Sequence, residues 1–109
     1  MSVQHITLAQ GRWSEFSLAE QLGNVGSEIS RALSWRGRDN AVSQKAIDRA
    51  LELMDFTLND QRWRKRLKEI TRAREMMVDA MEGGKEYGST LEDLDQYFLA
   101  FAYAARVNK

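Results

Sequence analysis

The stretch with the greatest capacity for chemistry is QRWRKRLKEITRAR, residues 61–74, where Arg62, Arg64, Lys65, Arg66 and Lys68 crowd around Trp63. Cations spaced for phosphates beside an indole that can stack on a base are the ingredients of a nucleic-acid surface. The same residues also read as the solvated face of an amphipathic helix. Trp63, Leu67 and Ile70 form its apolar seam, and the long basic side chains flank that seam and reach acidic neighbours. Such neighbours exist. From 39 to 60, Lys45 and Arg49 stand against Asp39, Asp48, Glu52, Asp55 and Asp60, a net −3. From 77 onward, Lys85, Arg106 and Lys109 stand against Asp79, Glu82, Glu86, Glu92, Asp93 and Asp95, again −3. The whole chain is neutral, 16 basic against 16 acidic residues. A functional basic patch usually raises the charge of its domain, so the ion-paired face is favoured.

Arg74 stands where the three-and-four spacing of Leu67, Ile70 and Met77 expects an apolar residue. Its guanidinium needs a carboxylate, several carbonyls or a rim position with its head in water. Glu28, Asp48, Glu52 and Asp95 are the candidate partners, and a small-ligand pocket nearby is a weaker reading.

The pair Gly23 and Gly26 has the spacing of a phosphate-clamping GxxG loop. No strand precedes it, no Gly-Lys-Ser/Thr follows, and it sits inside a periodic run, so the chemistry gives way to packing. Leu18, Leu22, Val25, Ile29 and Leu33 make one stripe; Ala19, Gly23, Gly26 and Ser30 make the next. Two interior glycines cost about 1 kcal/mol each against alanine. Close approach of a neighbouring helix offsets that cost, with Ala19 and Ser30 as an edge that a second subunit can share.

Reaction chemistry finds few candidates. The one histidine, His5, precedes the helices, so neither a Glu-x-x-His di-iron site nor a Ser-His-Asp triad can be assembled within them. Cysteine is absent, which removes thiolate ligands and thiol nucleophiles and fits a reducing compartment. Glu28, Asp79 and Asp95 are carboxylates without a spacing that pairs them for acid–base work. The expectation is a protein without enzymatic activity, cofactor or metal.

These residues need helices to hold them, and the chain punctuates four. Ser17 with Glu20 is a capping box opening a helix that closes near Gly37. Asp39 or Asn40 caps a second, with Val42, Ala46, Ile47, Ala50 and Met54 inward. Asp60 caps a third running through Met77 and Met81 to the glycines at 83–88. Ser89 with Glu92 opens a fourth, whose face of Leu91, Leu94, Phe98, Phe101 and Ala105 is widened by Tyr97 and Ala104. Short connections make successive helices antiparallel. The expected fold is therefore all-α, a four-helix up-down-up-down bundle over 17–109 with an extended N-terminal arm over 1–16. The start MSVQHITLAQGRW has neither a basic lead nor a long apolar core, and no stretch approaches the roughly 20 apolar residues of a membrane span. The reading is a cytoplasmic protein without membrane contact.

With the LGNVGSEISRAL core, the RWRKRLKEITRARE run and the terminal TLEDLDQYFLAFAYAAR placed, the chain resembles small uncharacterised prokaryotic bundle proteins. By architecture it is similar to the four-helix accessory proteins of diversity-generating retroelements and the related ribosomal-insert family. The resemblance spans about residues 17 to 106. It implies ring-like homo-oligomers and nucleic-acid contact through the Arg62 to Arg74 surface, and carries over no catalytic residue. Trp13, Trp35 and Trp63 also supply more bulk than one small core hides. The leading expectation is a self-associating helical interaction module; the alternative is a nucleic-acid-binding accessory protein using Arg62, Arg64, Lys65, Arg66 and Lys68.

Overall fold

The computed structural model of the protein describes residues 11–107, and the first ten residues of the expected arm lie outside them. Every regular element among the described residues is helical: α1, Leu18–Trp35; α2, Asn40–Leu58; a 3-10 helix, Gln61–Arg66; α3, Leu67–Met81; and α4, Leu91–Val107. The first two helices start where local chemistry dictates. The Ser17 hydroxyl accepts from the Glu20 amide at 3.1 Å, and the Ser17 amide donates to the Glu20 carboxylate at 2.8 Å. Asp39 accepts from the Ala41 and Val42 amides to open α2, and between them Gly37 turns the chain at φ +83°.

α1 lies along both α2 and α4, while α3 meets α2 and α4 over shorter lengths. Val25, Ile29, Ala50, Met54 and Phe98 are fully excluded from solvent at the centre. The glycines of α1 set its distance from α4. A Cβ on Gly26 would stand 2.7 Å from the Phe98 Cβ, and one on Gly23 would stand 3.0 Å from the Ala102 Cα. Farther along the stripe, the Ser30 hydroxyl donates to Asp95 of α4 at 2.8 Å, and Ala19 is half-buried.

Three local expectations give way to tertiary contacts. The third helix is not continuous from Asp60: residues 61–66 form a 3-10 helix with a break at Trp63 (φ −103°, ψ 22°), and the α-helix starts at Leu67. The cause is a polar knot under the break. Gln21, fully buried on the otherwise apolar face of α1, donates to the Trp13 carbonyl at 2.9 Å and to Asp60 at 3.0 Å, and accepts from the Trp63 indole at 2.9 Å. The fourth helix is capped by Thr90, whose hydroxyl accepts from the Asp93 amide, rather than by Ser89, whose amide is turned towards Asp79. Finally, the described part of the expected extended arm is not extended: residues 11–13 are helical, 14–16 turn the chain, and Trp13 and Phe16 pack onto the helices. Trp13 is buried and its indole donates to Thr57 at 2.9 Å.

Candidate interaction surface

α4 reads LEDLDQYFLAFAYAARV, and from Gln96 to Ala105 it carries no charge. An α-helix apolar on one side buries that side; one apolar all round is normally buried all round. α4 departs from that rule. Leu91, Leu94 and Phe98 face the core, yet Leu99 is 54%, Tyr103 64% and Val107 61% exposed. At 100° per residue these three, with Gln96 and Ala100, cover the helix side opposite Leu94 and Phe98. The most exposed large apolar side chains are thus on α4, while among the tryptophans Trp35 is 36% exposed. Trp13 is buried, Trp63 half-buried, and Trp35 lies beneath the Arg38 guanidinium at 5.0 Å.

Two shallow depressions border this face. On the α1 side, Gly23, Gly26, Ser27 and Ser30 leave a groove of about 250 Å³ against Leu99 and Ala102. On the α3 side, Ala73, Met76, Leu94 and Tyr97 line a more apolar cleft of about 240 Å³. Tyr97, expected to widen the buried face, instead stands at the mouth of this cleft, edge-on to Phe98 at 5.1 Å and to Phe101 at 5.4 Å. Its partial burial pushes the phenol pKa above its ordinary value.

The basic run is divided by its contacts. Arg62 donates to Asp60 at 2.7 Å and to the Phe16 carbonyl at 2.7 Å, and it covers the Trp63 ring at 4.5 Å, so the indole is not an open stacking platform. Hydrogen bonding from Arg62, assisted by Gln21 and opposed by burial, lowers the Asp60 pKa to about 2. Arg66 pairs with Glu69 at 2.9 Å. Arg64, Lys65 and Lys68 are exposed and form no ion pair among the described residues. Arg74 is a rim residue, about a third exposed, and its partner is Asp55 at 2.8 Å rather than Glu28, Asp48, Glu52 or Asp95. Arg74 lies seven residues into α3, and Asp55 is on the last turn of α2.

Of the carboxylates considered for acid–base work, Glu28 lies 3.9 Å from Arg31 and Asp95 accepts from Ser30. Asp79 is buried at the end of α3 and accepts from the amides of Glu86, Tyr87 and Ser89 at 2.9 to 3.1 Å. These bonds, led by that from Glu86, hold its pKa below the ordinary value against the opposing effect of burial. Its role is to fold the connection between α3 and α4, a function that charge spacing along the chain does not reveal.

No family model, curated protein or solved structure matches this chain. The site therefore rests on its geometry, and the outward face of α4 is its most unusual feature.

Proposed function

We propose that this protein is a non-catalytic helical interaction module that self-associates through the outward face of α4. The observation that carries the reading is the uncharged run from Gln96 to Ala105 with Leu99 and Tyr103 more than half exposed. A contiguous apolar helix face left in water marks a protein contact. Tyrosine and leucine bury large areas at little rotamer cost, and Ala100 and Ala104 allow a second helix to approach closely. The underlying arrangement we propose is the up-down-up-down four-helix bundle in a cytoplasmic protein, supported by the short connections and by α1 lying between α2 and α4. No helix among the described residues is long and apolar enough to cross a membrane.

Light scattering tests the reading. The 12.5 kDa chain is expected to run at a multiple of that mass at micromolar concentration. Leu99→Glu with Tyr103→Glu is expected to return it to the single-chain mass with its helical circular dichroism intact. Association that survives both substitutions overturns the proposal.

A second reading is supported by Arg64, Lys65 and Lys68, which are left without carboxylate partners: contact with the phosphates of a nucleic acid. It is the weaker one, because Arg62 and Arg66 are engaged within the chain. Retardation of labelled RNA that falls steeply with salt supports it, and no retardation at low salt removes it.

A further inference from the structure

Along α4, Glu92, Leu99 and Arg106 are seven residues apart and so lie nearly in one row, with Gln96 and Tyr103 filling the spacing of four and three between them. The row is acidic at one end, apolar in the middle and basic at the other. Resting on the self-association proposed above, we infer that the occupant of this face is the α4 of a second copy, running antiparallel, with Leu99 packed against its counterpart on the two-fold axis.

The charges fix the direction. Antiparallel pairing centred on Leu99 carries Glu92 of each copy to Arg106 of the other, so both ends close with opposite charges. Parallel pairing would set Glu92 against Glu92 and Arg106 against Arg106, and it would align the two helix dipoles unfavourably. Glu92 is ready for the role. Arg36 already hydrogen-bonds it and holds its carboxyl below the ordinary carboxylate range, so it stays ionised, while both side chains of that pair remain more than half exposed. Arg106 is exposed and forms no ion pair among the described residues. The contact is isologous: one surface serves both copies, and the assembly closes as a dimer.

Because the chain has no cysteine of its own, introduced ones report orientation cleanly. Full-length Glu92→Cys and Arg106→Cys chains are mixed, dissociated, reassociated and mildly oxidised. The mixed dimer retains one Glu92 to Arg106 contact and places the two thiols together at the other end. A disulfide-linked dimer is expected from the mixture and from neither variant alone, since in the antiparallel pair like positions lie about 21 Å apart, far beyond disulfide reach. Leu99→Cys alone is expected to cross-link to itself across the axis. Self-linking of Glu92→Cys or Arg106→Cys, or a light-scattering dimer that links at none of the three positions, overturns the antiparallel pairing while leaving self-association standing. A native chain that stays at 12.5 kDa overturns self-association itself.

Discussion

α1 and α4 share a seam so close that two glycines are needed to form it, yet the sides they turn to solvent differ. α1 presents Asn24, Ser27, Glu28 and Arg31 to its outer side, each a group that water can solvate. α4 presents Leu99, Ala100, Tyr103 and Val107. One helix is finished by folding and the other is not. The difference shows that an apolar residue at helical spacing marks a surface to be covered without saying by what. On α1 the covering is supplied by the same chain; on α4 half of the apolar circumference stays in water in the single chain, and that half is the one we propose a second copy covers.

The largest effect is expected at the seam. Gly26→Leu has no room against Phe98 and is expected to cost about 3 kcal/mol or more, read as a collapse of the thermal transition; a normal melt would show that the α1 and α4 backbones are not held close. Gln21→Leu comes next. It strips the Trp63 indole of its acceptor and the Trp13 carbonyl of its donor, and an unfolding free energy lower by about 2 kcal/mol is expected in denaturant titration. Asp60→Asn is smaller and depends on pH. Its carboxyl titrates near 2 in the folded protein against an ordinary 3.8, so its stabilising contribution is present above the unfolded value and is lost as pH falls through about 2. The variant should be less stable than the parent at pH 7 and converge on it near pH 2. A constant difference would place its effect in packing alone. The smallest effect belongs to Lys65→Ala with Lys68→Ala, which should leave stability within about 0.5 kcal/mol and association unchanged; a loss of association there would move the interface from α4 to the basic face.

How much of this was legible from the residues follows the range of the interaction. Ser17 with Glu20, Gly37 and Asp39 act over three residues or fewer, and the helices begin and end where they indicate. Gln21 could not be read, because its three partners lie up to 42 residues away and a lone glutamine on an apolar stripe carries no local signature. The 3-10 helix sits over that knot, and the choice of Asp55 over Glu52 as partner of Arg74 likewise depends on how α2 and α3 meet, which spacing along one helix does not give. Asp79 was visible as a carboxylate but not as the centre of a loop, since its partners are backbone amides. The glycine stripe was legible as a packing surface, whereas its neighbour was not: Phe98 and Ala102 sit on the last helix. For α4 the pattern itself misled. Leu91, Leu94 and Phe98 are buried as their spacing indicates, but Tyr97, expected to widen that face, is exposed, and nothing in the spacing says what becomes of the apolar Leu99 and Tyr103 left off it.

Sedimentation equilibrium of the unaltered chain across a range of concentrations decides whether the outward face of α4 is covered by a second copy. A mass rising from 12.5 kDa to twice that value with concentration is the predicted result. A mass fixed at 12.5 kDa up to the highest concentration would contradict it, because the outward face of α4 would then remain in water without a second copy to cover it.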